Sequence, residues 1–290
     1  MIPVEIKNLK KMYGKSLGVS DVTFNVKEGE IFGFIGPNGA GKSTTIRAML
    51  GLIRPTDGYT AIFGEDGYKH GVEARENVGY LPGEVFMHPD MKVRDLLEFS
   101  ANLRGGRGLE RIDELSSKFE INLNKRFREL SLGNKKKVGI VNAIMSSPKL
   151  IILDEPTTGL DPIMQQTFFE VLREENKKGS TILLSSHNLN EVQRLCDRVA
   201  IIKAGKIIAV EEMQNLKNKF LKEVMFETKQ SELMEINLSG VSNLKIEGRR
   251  YEFQYNGEVR TLVDYLSKFD VINVNIADAD LEKIFLHFYE

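Results

Sequence analysis

Three short stretches of this 290-residue chain carry side chains that could work on phosphate. The first is GPNGAGKST, Gly36 to Thr44. Its glycine spacing, G-x-x-x-x-G-K-[ST], lets successive backbone N–H groups turn inward as an anion nest, and a following helix adds its positive end. Lys42 can then reach the β- and γ-phosphates of a nucleoside triphosphate, and Ser43 can ligate Mg²⁺. A glycine-rich turn would explain the glycines alone. It would not explain an apolar strand before them and a helix after.

The second stretch is LIILDEP, Leu150 to Pro156, which puts Asp154 and Glu155 at the end of a buried strand. In a parallel sheet that edge is where ligands bind. Asp154 suits a Mg²⁺ shell, directly or through water. Glu155 is placed to orient or deprotonate a water for in-line attack on a γ-phosphate. In the third, LLSSH, His187 follows another buried strand that should end on the same edge, where it could hydrogen-bond a γ-phosphate oxygen. His70, His88 and His287 have no such placement and read as structural or solvated.

A fourth stretch, LSLGN (130–134), is ambiguous from its residues: an ordinary helix start, or half of a nucleotide site with two positions changed. The KKK run after it, 135–137, reads as a solvated helix face.

The elements that must position these groups can be read from periodicity. Val4–Leu9, Val22–Val26 and Ile31–Ile35 read as strands. Leu150–Leu153 and Thr181–Leu184 have the unbroken apolar character of strands buried on both faces. Between them Pro162–Lys178 reads as a helix ended by Gly179, so the order implies a parallel sheet with a crossover. Val93–Ser146 has helical periodicity and reads as a helical insertion.

After Lys217–Lys222 the pattern changes. Glu223–Thr228, a short helix around Leu233, Leu244–Glu247 and Tyr251–Tyr255, a helix Val259–Phe269, a strand Val271–Ile276 and a helix Leu281–Tyr289 suggest a split βαβ, ferredoxin-like unit.

Composition excludes several classes. With 40 basic against 41 acidic residues, nothing suggests a nucleic-acid-coating surface, and no nucleic-acid partner is expected. No apolar run approaches the roughly 18 residues that span a bilayer. The start, MIPVEIKNLKK, has no signal-peptide pattern. The single cysteine, Cys196, reads as a small buried hydrophobe in a reducing cytosol.

Together the motifs resemble the ATP-binding cassette (ABC) family over about residues 2 to 215, with five motifs in family order. GPNGAGKST resembles Walker A, so Gly36, Pro37, Asn38, Gly39, Ala40, Gly41, Lys42, Ser43 and Thr44 are expected to hold ATP. LSLGN resembles the LSGGQ signature, LIILDEP resembles Walker B with Glu155 as catalytic residue, and SSH resembles the switch histidine, His187. TTGLD resembles the D-loop and adds Asp161 to the nucleotide-binding set. Tyr13 sits where the family stacks an aromatic on adenine.

The resemblance implies an α/β P-loop cassette over residues 1–218: a parallel-sheet core, an antiparallel β subdomain and a helical subdomain at about 88–147. A small C-terminal α+β domain would occupy 219–290. It also implies two cassettes packed head to tail, as a homodimer or with another ABC ATPase. Ser131 and the Gly133 backbone would then meet the γ-phosphate bound on the partner. Leu132 stands in place of a family glycine, and Asn134 in place of a glutamine one methylene longer.

A sharper departure is YLPGE, 80–84, where Gly83 replaces a glutamine that touches Mg²⁺ and the attacking water. Either Glu84 takes that metal contact after a small loop shift, or Glu155 and His187 act without it. Glu84 to His88 falls where the family's membrane subunit docks, making Val85 and Phe86 candidate contacts, with inward packing as the alternative.

The tail, DADLEKIFLHFYE, resembles that of type 2 exporter ATPases. These pair with separately encoded membrane permeases and lie at the inner face of the cell membrane. Drugs or amphipathic peptides are then the candidate cargo. A soluble non-transport ABC ATPase and a nucleotide-binding regulator without turnover are the other readings. The first should bring a second cassette, a coiled coil or zinc cysteines, none of which the sequence has. The second conflicts with Glu155 and His187.

Overall fold

The computed structural model describes residues 2–218, 222–229 and 236–278, in two compact units, Met1–Glu211 and Glu212–Glu290. The first unit opens with strands β1 (Val4–Tyr13), β2 (Ser16–Val26) and β3 (Ile31–Ile35), then helix α1 (Lys42–Met49). Strands β4 (Asp57–Ile62) and β5 (Glu65–Asp66), helix α2 (Gly71–Arg75) and strand β6 (Val78–Leu81) follow. Helices α3 (Val93–Asn102), α4 (Ile112–Lys118) and α5 (Leu132–Ile144) form the helical stretch. The chain then returns through β7 (Leu150–Asp154), α6 (Pro162–Lys177), β8 (Thr181–Ser186), α7 (Leu189–Leu195), β9 (Arg198–Lys203) and β10 (Lys206–Glu212).

Ten strands form one sheet in the order β5-β4-β1-β2-β10-β9-β3-β8-β7-β6. The β6, β7, β8, β3 and β9 half is parallel, while β2, β1, β4 and β5 pair antiparallel. This is the expected α/β P-loop cassette. Every residue of β3, β7 and β8 is buried, because helices cover both faces and leave no side for polar residues.

Strands β4, β6, β9 and β10 were not anticipated, and β2 begins well before Val22. In β10 half-buried Ile207 and Ala209 alternate with exposed Ile208 and Val210, so its short apolar run is fully buried on neither face, unlike the core strands.

Helix α5 lies along β6 through glycines. A side chain on Gly79 would collide with the Ala143 carbonyl, and a Cβ on Gly139 would fall 2.7 Å from a Val85 methyl. The face meeting β6 therefore includes part of the KKK run. Lys136 and Lys137 are buried, which corrects the expected solvated face.

In the second unit, α8 (Met213–Asn218) precedes strands β11 (Lys222–Thr228), β12 (Val241–Glu247) and β13 (Arg250–Tyr255), helix α9 (Val259–Leu266) and β14 (Val271–Asp278). The sheet order is β12-β13-β11-β14 with antiparallel neighbours, the pairing of a split βαβ arrangement. Val224, Phe226, Tyr251 and Phe253 form its core with Leu262 and Leu266 of α9. Helix α9 stops at Leu266, short of the expected Phe269. The helices expected around Leu233 and over Leu281–Tyr289 lie outside the described residues, as does His287. Among the described residues no helix is long and apolar enough to cross a membrane.

Candidate functional site

Buried β3 delivers the chain into the phosphate loop. Gly39 (φ 78°) and Gly41 (φ 109°) take left-handed conformations that L side chains avoid. A Cβ on Gly41 would also strike Val19, so neither backbone nor space admits one. Gly36 is pressed against the Ile202 carbonyl in the same way. Pro37 and Ala40 close the turn, with the Ala40 N–H donating to the Pro37 carbonyl at 3.1 Å.

Lys42 begins α1 and is only 4% exposed. Its ammonium donates to the Gly36 carbonyl (2.7 Å) and the Pro37 carbonyl (3.2 Å), and lies 3.2 Å from Glu155 Oε1. A buried ammonium needs such partners, and a phosphate is a stronger acceptor than either carbonyl.

The in-register pairing of β7 with β8 sets the acidic end. Asp154 lies opposite Ser185, whose hydroxyl donates to Asp154 Oδ1 at 2.6 Å. The next residue, Glu155, has φ 48°, a conformation that costs an L residue roughly 1–2 kcal/mol. Its N–H compensates by donating to the Ser185 carbonyl (3.2 Å) and hydroxyl (3.1 Å). That sharp turn sends the Glu155 carboxylate back over the loop, between Lys42 and His187, whose Nδ1 lies 3.4 Å from Glu155 Oε2. His187 is half exposed, so Lys42, Glu155 and His187 form a chain running from buried to solvent.

Tyr80 on β6 was missed by sequence reasoning. Burial and the charge of Asp154 push its phenol up to about 12, against the opposing pull of a hydrogen-bonded Arg47, so it stays neutral beside the carboxylate. Ser185 was missed too. Its signal was a hydroxyl directly after the apolar run Ile182, Leu183 and Leu184, where the strand is still buried and a hydroxyl demands a partner.

These groups open into a cleft of about 1000 Å³ lined by Tyr13, Asn38, Lys42, Ser43, Asp154 and Glu155. Gly39, Gly41, Thr44 and Glu84 also line it. Tyr13 is 47% exposed, with the Lys11 ammonium 5.1 Å from its ring centroid. Among the described residues no cluster of three or more His, Cys, Asp or Glu could hold a metal alone. One hydroxyl (Ser43) and one carboxylate with an oxygen already engaged (Asp154) suit a cation that keeps waters and takes phosphate oxygens, the preference of Mg²⁺.

The remaining expected residues lie elsewhere. Ser131 caps α5, accepting from the Asn134 backbone N–H (3.3 Å) and side-chain amide (3.1 Å), and is exposed with Leu132; Gly133 lies in the first turn. Asn134 thus turns its amide onto Ser131 of its own chain. Asp161 does not line the cleft; its carboxylate caps α6, accepting from the Met164 N–H at 3.0 Å. A buried Glu191 accepts from Thr157 (2.6 Å) and Ser186 (2.9 Å), tying the loop before Asp161 to the strand that ends just before His187.

Phe86 is 83% exposed, whereas Val85 is half-buried and packs toward Gly139. Both border an apolar groove of about 650 Å³ with Phe127 and Leu132. Cys196 is buried, and burial holds its thiol well above the usual range, as expected of an inert residue.

The family model for the ABC transporter matches residues 19–158. Similar proteins include the bacitracin transport ATP-binding protein of Bacillus licheniformis, 37% identical over 230 residues, covering 77% of this chain and 74% of that one. The Nod factor export ATP-binding protein I of Burkholderia orbicola is 38% identical over 212 residues, covering 71% of this chain and 70% of the relative. A solved ATP-binding subunit of an ABC transporter superposes with a TM-score of 0.70 at 32% identity, over 75% of this chain and 92% of the other.

Proposed function

Given that the chain belongs to the ABC transporter family as an ATP-binding subunit, we propose that it hydrolyses ATP to drive an exporter, two cassettes closing on two nucleotides beneath separately encoded permease subunits. The observation that carries the mechanism is the chain Lys42–Glu155–His187 at the mouth of the phosphate loop.

An arriving triphosphate offers Lys42 stronger acceptors than the Gly36 and Pro37 carbonyls. Drawing the ammonium toward phosphate frees the Glu155 carboxylate to accept a proton from the attacking water. His187, held at Glu155 Oε2, is positioned to swing onto a γ-phosphate oxygen. Asp154 and Ser43 would hold Mg²⁺, which neutralises phosphate charge when bound.

Ser131 and the Gly133 N–H would cap the same γ-phosphate from the second cassette, so that neither copy alone completes a site. Asp161 acts by holding the start of α6 near that seam. Glu84 stands on the cleft wall within reach of a loop shift toward the metal. ATP moves the open–closed equilibrium only by its differential affinity for the two states, and the closed pair supplies that difference.

The catalytic cassette is read as 1–218, with its helical subdomain at 88–147, and 219–290 as an accessory domain. Phe86 and the apolar groove beside it form the permease-docking face, with Val85 as its inner wall. This keeps the protein peripheral on the cytoplasmic face of the membrane. The Nod factor relative is named for export and the bacitracin relative for transport, which supports the exporter reading, and drugs or amphipathic peptides are the cargo class proposed. Pairing with an identical copy or with another ABC ATPase fits the same scheme.

The test is Glu155→Gln. It should bind ATP normally, lose turnover by roughly 10²–10⁴-fold, and accumulate as an ATP-dependent dimer in sedimentation velocity. Wild-type steady-state turnover in that variant would remove Glu155 from its role.

A further inference from the structure

Lys136 is the least expected residue of the first unit. It is 4% exposed, in the middle of what reads as a solvated basic run. Its ammonium donates to the Gly83 carbonyl at 2.8 Å and, more weakly, to the Pro82 carbonyl at 3.4 Å. Burial pulls its basicity down, while Asp154 and Glu155 are near enough to oppose that shift.

A lysine stem is long enough to carry its charge to water whenever water is within reach. This one instead ends on two main-chain carbonyls of the loop after β6. That loop is the wall between two spaces: Gly83, Glu84 and Phe86 border both the nucleotide cleft and the apolar groove. On its cleft side Gly83 lies against Asp154, since a Cβ there would sit 3.6 Å from Asp154 Oδ2. On its helix side the apolar contact of Val85 with Gly139 lies one turn beyond Lys136 on the same face of α5.

Resting on the ATPase reading above, we propose that Lys136 is a positioning residue for hydrolysis. Its ammonium latches the 82–86 loop onto α5, so that Gly83 is held against Asp154 and the loop, the carboxylate end and the helix that begins at Ser131 move as one body. The loop has no side chain at Gly83 with which to tie itself to the site, and Lys136 supplies the tie from the helix through main-chain atoms. An object docking at Phe86 then displaces a wall that is fastened to the hydrolytic edge.

The experiment compares Lys136→Met with Lys136→Arg in the full chain, with wild type alongside. Methionine keeps length and apolar packing but removes the donors; arginine can still reach the carbonyls. Lys136→Met should lower kcat at least about 10-fold, the loss of a charge-assisted hydrogen bond, while the KM for ATP stays within about twofold. Lys136→Arg should recover most of that kcat, and hydrogen exchange at the 83–86 amides should quicken in the methionine variant only.

Undiminished kcat in folded Lys136→Met, unchanged exchange at 83–86, or equal losses in the methionine and arginine variants would overturn the latch. If Lys136→Met does not fold, Lys136→Leu, which also keeps apolar bulk and lacks a donor, replaces it, and wild-type kcat in that variant overturns the proposal equally. A wild-type protein that neither binds nor turns over ATP would sink the ATPase reading as well, whereas the other adverse outcomes sink the latch alone.

Discussion

The strand end at Glu155 and the helix start at Ser131 are both read as phosphate-facing, yet they are built on opposite plans. At the strand end every charge has an internal partner: Lys42 with Glu155, Glu155 with His187, and Asp154 with the Ser185 hydroxyl. Among the described residues the start of α5 forms no charge pair, and the exposed Ser131 hydroxyl is met by its own Asn134. The first turn of any helix also leaves backbone N–H groups without intrahelical partners. One region is a closed circuit that a nucleotide must open, and the other is a set of donors facing solvent. Under the proposed function the difference reads as two unlike halves of a site, the solvated half serving a phosphate that a neighbour brings.

The comparison is broken most forcefully at Lys42. Lys42→Met removes the buried donor that the loop carbonyls and Glu155 share. ATP affinity should fall by about 10- to 100-fold, the worth of hydrogen bonds to a charged group, read by titration with a fluorescent ATP analogue. Affinity within twofold of wild type would mean that the closed circuit is structural and the phosphates lie elsewhere. Ser131→Arg should act on the other half. Its own ATP affinity should stay near wild type, but its turnover should be nearly lost.

A mixture of Lys42→Met and Ser131→Arg proteins then sharpens the point. A mixed pair contains one intact loop facing one intact Ser131, so turnover should reappear on mixing two inactive proteins. Continued inactivity in mixtures that form dimers would assign Ser131 to its own chain's nucleotide.

How much of this was legible follows from how locally each feature is specified. The phosphate loop could be read because chemistry constrains consecutive residues: Gly39 and Gly41 need left-handed backbone, and Lys42 must follow at once. Asp154 and Glu155 were legible because a buried apolar strand announces where it ends. Lys136 was not, because three identical lysines carry no mark of which one faces β6. The mark lay three residues further on, where Gly139 permits the helix to approach Leu81 and Val85. Asp161 shows the opposite limit, since one carboxylate in a motif position satisfies a helix cap that any Asp could fill. In the second unit the strands were found but boundaries drifted: β12 begins at Val241 and not at Leu244, and the apolar periodicity of helix α9 continues to Phe269 past its last helical residue.

The gentlest probe of the comparison lies at the cleft's outer rim. Tyr13 is the aromatic at the end of β1, half exposed, with a Gly18 Cβ excluded by its ring edge at 2.9 Å and the Lys11 ammonium over its face. Lys11 is itself fixed by donating to the Arg54 carbonyl at 2.7 Å, so the ring is held in place before any nucleotide arrives. A preset ring offers a base a stacking surface without a further ordering cost.

Because the ring is exposed, Tyr13→Ala should weaken ATP binding by only about 1 kcal/mol, roughly fivefold, with kcat at saturating ATP unchanged. Tyr13→Phe should bind as wild type, since stacking uses the ring and not the hydroxyl. GTP should lose as much as ATP in the alanine variant, because every base offers a π-face. A Tyr13→Ala protein with unaltered affinity would place the base away from β1. The closed circuit at Lys42 and Glu155 would then hold the nucleotide by its phosphates alone, and base recognition, like the second half of the phosphate site, would have to come from a neighbour.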